Sequence, residues 1–328
     1  MRITIVTPAP AGSTHGNRIT AVRWAGILKQ LGHRVSIRQS FDRQPADLLI
    51  ALHARRSYSS VERFQRECSG KPIVVALTGT DLYRDLKSDR RAEKSLDLAQ
   101  RIVVLQPKAL ELLDERFKAR ARVIYQSVPG RIAADRQPER ASMTTRNFNV
   151  CVIGHLRAVK DPFRAAMAAR LLPASSRIRI LHIGGAMTER MAVHAEAEAA
   201  RNRRYRWLGA LGRSRTRDIL AKSQLCVLSS RMEGGANVLS EAIVAGVPIL
   251  ASRIDGNTGI LGDDYPGLFD VGDTRALTRL LLRAETDAVF LSDLRRRIKK
   301  LAPLFEPQRE RRAWAHLIRE LQSTDYAD

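Results

Sequence analysis

Short apolar runs alternate with amphipathic stretches along this chain. In its first half the runs Ile3–Thr7, Val35–Arg38, Leu48–Leu52, Ile73–Leu77, Ile102–Leu105 and Val123–Tyr125 read as strands. A second series follows at Val150–Ile153, Ile178–Ile183, Tyr205–Leu208, Leu225–Leu228, Pro248–Ala251 and a short Gly267–Phe269. Strands separated by helix-length stretches predict an α/β architecture with parallel sheets, because each parallel pair needs a crossover that a helix supplies. The first helix is expected to begin near Arg18, to turn Ile19, Val22, Leu28 and Leu31 inward, and to stop at Gly32. From Leu301 to Leu321 the pattern is again helical, interrupted at Glu306-Pro307, with Trp314, Leu317, Ile318 and Leu321 on one stripe.

Between Pro129 and Arg146 the chain turns polar and Arg-rich, and the two strand series part there. The expected division is an N-terminal domain over 1–135, a linker over 136–147, a C-terminal domain over 148–300, and helices over 301–328 that return to the N-terminal domain. Two doubly wound domains in tandem are expected to face each other across a cleft. Ligands of such sheets bind outside the carboxyl ends of the strands, so the loops after each strand are where chemistry is sought.

Composition narrows the classes. Hydrophobic content of 44% and charged content of 27% belong to a globular chain. No apolar run approaches the ~20 residues that cross a bilayer, and the N-terminus enters a strand with no leader pattern. Cys68, Cys151 and Cys226 are isolated, two of them inside strand-like runs, and read as buried thiols of a reducing compartment. A cytoplasmic location is the expectation. The net charge of +22 comes mostly from scattered Arg, which reads as a solvated basic surface that also attracts anions. Aromatic content is only 5%, and no ribonucleoprotein motif, zinc finger or basic zipper accompanies the charge. No specific nucleic-acid partner is expected.

Several strand-end loops carry candidate chemistry. After the first strand, Ala11 to Arg18 places Gly12, Gly16, Asn17 and Arg18 before a helix, a plausible anion loop and equally an ordinary turn. It is not G-x-G-x-x-G, and no acid follows the second strand where a dinucleotide ribose would be read, which disfavours a dehydrogenase. After the third and fourth strands come His53-Ala54-Arg55-Arg56 and Thr78-Gly79-Thr80-Asp81. The arginines could hold an anionic acceptor or face solvent; His53 could be a satisfied core histidine, and Asp81 a helix cap. In the second half, Arg157 and Lys160 lie three positions apart after a strand, able to meet one diphosphate or to stand as a solvent-facing basic pair. Gly184-Gly185 and Leu208-Gly209 are further strand-end turns. There is no D-x-D motif, no His/Cys cluster and no G-x-S-x-G elbow, so no metal is implied.

The richest stretch is Glu233-Gly234-Gly235-Ala236-Asn237-Val238-Leu239-Ser240-Glu241. Two carboxylates eight positions apart flank a Gly-Gly turn that opens into a helix. A helix N-terminus suits phosphate, glycines allow close backbone approach, and carboxylates accept from sugar hydroxyls. The combination describes a nucleotide-sugar site.

Arg157…Lys160 together with Glu233-x7-Glu241 resembles the donor signature of the GT-B glycosyltransferases of family 4. That resemblance implies two Rossmann-like domains, a UDP-sugar co-substrate of the UDP-GlcNAc or UDP-glucose type, and no further cofactor. It implies Arg157 and Lys160 at the diphosphate, Glu241 at the ribose and Glu233 at the transferred sugar. Gly234, Gly235, Ala236, Asn237, Val238, Leu208, Gly209 and Gly16 complete the implied donor site. A narrower likeness covers Gly16–Thr20 with Arg23-Trp24-Ala25, Ala51–Ser57, Leu77–Arg84 and Val104-Leu105-Gln106. These resemble the selenosugar synthases of selenoneine biosynthesis, which join a sugar to selenophosphate. By that likeness Asn17, Arg18, His53, Arg55, Arg56, Thr78, Thr80 and Asp81 would meet the acceptor, and a selenophosphate-producing enzyme would be a functional partner. Many family-4 enzymes carry His-Gly-x-Asp where this chain has Thr78-Gly79-Thr80-Asp81, and an acceptor already anionic needs no base. A hydroxyl acceptor, or an inactive basic binding protein, are the alternatives.

Overall fold

The computed structural model describes residues 1–13, 15–79, 81–86, 88–128 and 147–323. The expected linker thus lies outside the described residues, apart from Asn147. The first unit comprises Met1–Ser127, Glu233–Asn237 and Leu304–Asp328, and the second Val128–Met232 and Val238–Pro303.

In the first unit the elements run β1 (Arg2–Val6), α1 (Gly16–Gln30), β2 (Arg34–Arg38), β3 (Leu48–Leu52), α2 (Tyr58–Glu67), β4 (Ile73–Ala76), α3 (Arg90–Asp97), β5 (Arg101–Val104), the short α4 (Lys108–Glu111) and α5 (Glu115–Lys118), and β6 (Ala121–Val123). The strands form one parallel sheet in the order β2-β1-β3-β4-β5-β6. β3 is apolar throughout because both its faces are covered. Leu48, Ile50 and Leu52 pack with Trp24 and Leu28, whereas Leu49 and Ala51 pack with Val61, Phe64 and Leu96.

α1 keeps part of its expected face, with Leu28 buried and Leu31 packed against the core. Val22 is 52% exposed, Ile19 and Leu31 are half-buried, and the buried side is Thr20, Ala21, Trp24, Ala25, Ile27 and Leu28. The Trp24 ring meets Trp314 edge-on at 4.8 Å, and that contact sets the helix rotation. The sixth strand also begins earlier than the expected Val123, although Ile124 still donates to the Val104 carbonyl at 2.9 Å.

The second unit continues with β7 (Phe148–Ile153), α6 (Arg164–Arg170), β8 (Ile178–Ile183), α7 (Glu189–Arg201), β9 (Tyr205–Trp207), α8 (Arg213–Lys222), β10 (Leu225–Leu228), α9 (Asn237–Val244), β11 (Ile249–Ser252), α10 (Asp255–Leu261), β12 (Leu268–Phe269), α11 (Thr274–Thr286) and α12 (Ala288–Leu301). Its sheet is parallel, in the order β12-β11-β10-β7-β8-β9. Cys151 and Cys226 are buried in β7 and β10, and burial pushes the Cys151 thiol up to about 12, so it stays protonated. The last helix, α13 (Pro307–Ser323), belongs to the first unit and buries Trp314, Leu317, Ile318 and Leu321. Among the described residues no helix is long and apolar enough to cross a membrane.

Candidate functional site

The order β10-β7-β8-β9 sets four strand-end loops of the second unit side by side. They are tied to one another by backbone. The Gly184 N–H donates to the Gly209 carbonyl at 2.8 Å, and the Leu156 N–H to the Gly185 carbonyl at 3.0 Å. A Cβ on Gly184 would collide with the Gly154 carbonyl, and its φ of +157° also favours glycine. Gly209 takes φ +67°, and the Leu208 N–H beside it donates to the His182 carbonyl at 2.8 Å.

Two histidines that the sequence did not single out support this cluster. His182, 1% exposed, lies between the Tyr205 hydroxyl at 2.9 Å and the Gly154 carbonyl at 3.1 Å. Nε2 therefore donates to Gly154 and Nδ1 accepts from Tyr205. Burial pulls the His182 imidazole down to about 4 despite the Gly154 bond, which keeps it neutral. His155 accepts from the Gly185 N–H through Nδ1 at 3.2 Å, which places a ring proton on Nε2.

Arg157 precedes a single 3-10 turn, Ala158–Lys160, that ends on Asp161 at φ +46°. Ser229, just past β10, donates its hydroxyl to the carbonyls of Lys160 at 3.2 Å and Asp161 at 2.9 Å. The Arg231 N–H adds a bond to the Val159 carbonyl at 2.8 Å. The turn is thus fixed while Arg157 is exposed and Lys160 is half-buried, its stem lying 3.9 Å from where a Gly154 Cβ would stand.

Glu241 sits in α9 with 15% of its side chain exposed. Two guanidiniums of α8 approach its Oε1, Arg217 at 3.7 Å and Arg213 at 3.8 Å. Burial, and then the Arg213 charge, lower the Arg217 pKa. Nothing in the linear pattern announced this pair, because it depends on α8 packing beside α9.

The segment Glu233–Asn237 belongs to the first unit. Its glycines have protein neighbours where an anion was expected. A Cβ on Gly234 would stand 2.6 Å from the Thr78 carbonyl carbon and 2.7 Å from the Gly79 nitrogen, and one on Gly235 would stand 2.7 Å from the Leu105 Cβ. Close approach is required here, but to the ends of β4 and β5. Glu233 and Asn237 are half-buried, Ala236 is buried, and Val238 follows in the second unit.

Gly16 of the donor set and the acceptor candidates Asn17 and Arg18 form the first turn of α1, which has no acid to compete for an anion. His53 is 3% exposed and takes φ +75°, a conformation that strains a non-glycine residue. Its ring lies 4.0 Å from Asp81 and 3.7 Å from Asp85. Burial, helped by the Arg56 and Arg55 charges, outweighs those carboxylates and holds the imidazole below its ordinary value. Asp81 is fully buried and accepts the backbone N–H groups of Ala54 at 3.1 Å, Thr78 at 3.0 Å and Gly79 at 2.8 Å. It fastens the β3 and β4 loops together. Arg55 bonds Asp85 at 2.9 Å and stands 3.8 Å from Asp89, whereas Arg56 is exposed. Burial raises the Asp85 carboxyl, but the bonds from Arg55 and Arg84 outweigh it and hold it below the usual range. Thr78 is half-buried, and Thr80 lies outside the described residues.

Residues 135–304, more than half of the chain, match the family model described as Glycosyl transferases group 1. Among solved structures, HepE of Anabaena in complex with UDP and glucose is similar at a TM-score of 0.74 and 16% identity, over 98% of this chain and 100% of that one. Sucrose-phosphate synthase of Thermosynechococcus elongatus is similar at 0.77 and 15%, over 98% and 99%. The α,α-trehalose 6-phosphate synthase of Burkholderia multivorans is similar at 0.68 and 14%, over 84% and 71%. At such identities the likeness speaks to the fold, which is GT-B.

Proposed function

The chain belongs to the glycosyl transferases group 1, and from that premise we propose that it moves a hexosyl group from a UDP-sugar to selenophosphate, forming a carbon–selenium bond. The observation that carries the donor half is the locked cluster of strand-end loops in the second unit. It fixes the backbone of the turn that bears Arg157 and Lys160, in the same unit as Glu241 of α9. HepE, similar over its whole length, is known in complex with UDP-glucose and with UDP, which supports a nucleotide-sugar donor.

In this reading Arg157 and Lys160 bind the diphosphate, with Leu208 and Gly209 at the neighbouring turn. Glu241 accepts from the ribose hydroxyls, and Glu233 from the transferred sugar. A selenium lone pair attacks the anomeric carbon while the bond from that carbon to the β-phosphate oxygen breaks. The electron pair leaves with UDP, where the two cations offset the growing charge. No proton needs to be removed from an acceptor that arrives anionic. Asp81 agrees with this, since backbone amides occupy its carboxylate. Arg56, Arg18 and the first turn of α1 supply positive charge for the acceptor phosphate; Arg55 contributes less, because Asp85 and Asp89 already face it. The selenium acceptor rests on the N-terminal likeness set out above.

The test is anaerobic incubation with a panel of UDP-sugars, with and without selenophosphate, read by mass spectrometry. A product with the selenium isotope pattern, formed with free UDP, is the expected result. Sugar transfer to a hydroxyl without selenium would replace the acceptor, and absence of UDP binding would remove the enzyme reading. Glu241→Ala should weaken UDP binding by about tenfold in calorimetry, the scale of one charged hydrogen bond. Arg56→Ala should raise the acceptor KM and leave UDP affinity as it was.

A further inference from the structure

One buried polar cluster is used by no step above. Arg23, on α1, has only 9% of its side chain exposed, and each guanidinium nitrogen faces a different stretch of chain. Nη1 donates to the Ser127 carbonyl at 3.0 Å, and Nη2 donates to Oδ1 of Asn237 at 3.0 Å. Nε stands 3.6 Å from Oε1 of Glu310, a carboxylate of α13 that is 1% exposed. Glu310 is saturated in turn. Its Oε1 accepts from Trp24 Nε1 at 2.8 Å, and its Oε2 from the Ser127 N–H at 2.8 Å and from the Ser127 hydroxyl. A carboxylate this deep needs a cation, and Arg23 stands beside it.

The consequence lies at Asn237, the last residue of the 233–237 segment and the first of α9. Gly234 and Gly235 already lie too close to Thr78, Gly79 and Leu105 for any side chain. Arg23 fastens the other end. Ser127 and Asn237 each end a stretch of the first unit, and one guanidinium holds both.

We propose that Arg23, oriented by the buried Glu310, is a positioning residue that holds Asn237 and thereby sets the Glu233 carboxylate. Its bearing on sugar transfer rests on the proposed function; its hold on the segment does not. Arginine is required because its planar fork serves three partners at once. Lysine would still offset the Glu310 charge but could not reach the other two.

Hydrogen exchange of the ligand-free full chain tests the hold directly. In Arg23→Lys the amides of 233–240 should exchange about tenfold faster or more, with α13 and β1 unchanged, because only local opening is affected. Asn237→Ala, which leaves the Arg23–Glu310 pair in place, should give the same local acceleration. Unchanged exchange over 233–240 in both variants, or acceleration spread through α13 in both, would overturn the proposal. In turnover, Arg23→Lys should lower kcat by about 10- to 100-fold with the donor KM within about threefold, the mark of misplaced groups. The double variant should be no worse than the poorer single one, and additive losses would also overturn it. A wild-type chain that transfers no sugar would sink the proposed function and leave the exchange result to decide this inference.

Discussion

At the scale of single residues, the structure assigns importance to side chains that are inconspicuous in the sequence. His182 is one. Its imidazole is buried and held neutral, with a folded pKa of about 4 against about 6.5 when unfolded. Between those values the unfolded chain binds the extra proton, so stability rises with pH across the window. The contribution is complete above the unfolded pKa and is lost as pH falls towards 4, roughly 3 kcal/mol in all. Urea midpoints from pH 4 to 7 (roughly the window of that titration) should therefore slope less in His182→Gln than in wild type. Equal slopes would assign the pH dependence to other groups. Asp81 teaches the complementary lesson: a residue that looks like chemistry is a fastener for three backbone amides.

Elements were easier to foresee than their orientations. The strand series fell where apolar runs lie, because strands covered on both faces, such as β3, β4 and β10, are apolar throughout. Helix α13 was legible too, since Trp314, Leu317, Ile318 and Leu321 recur at helical spacing and all four are buried. Leu317→Ala should cost about 2–5 kcal/mol by opening a cavity beneath α1, seen as a lower thermal midpoint of the first unit. A change within 0.5 kcal/mol, about what a surface substitution gives, would contradict that packing. For α1, Leu28 is buried as expected, but Val22 faces solvent because Trp24 packs on Trp314, a neighbour far along the chain.

For the molecule as a whole, the charge of +22 is spread over a surface where arginines pair repeatedly with carboxylates. Arg116 with Asp97, Arg91 with Asp89 and Arg297 with Asp264 are examples. Such exposed pairs contribute little each, ~0–1 kcal/mol, and salt screens them. The surplus acts at a distance, drawing in anionic substrates. Association of UDP with the protein should slow steeply as salt rises, while dissociation changes little. Binding to nucleic acid or anionic vesicles should vanish with modest salt and show no sequence preference. A salt-resistant, selective nucleic-acid complex would refute that account of the charge.

The sequence by itself determined the α/β class, the two strand series and the glycine-flanked carboxylates of 233–241, because these follow from periodicity and local backbone chemistry. Tertiary structure alone decided what those residues touch. It gave Gly234 the backbone of Thr78 and Gly79, Glu241 two arginines of α8, and Arg23 its three partners. Each of these contacts joins stretches distant in the chain. Their pairing depends on sheet order and helix rotation, and neither is written in any local pattern.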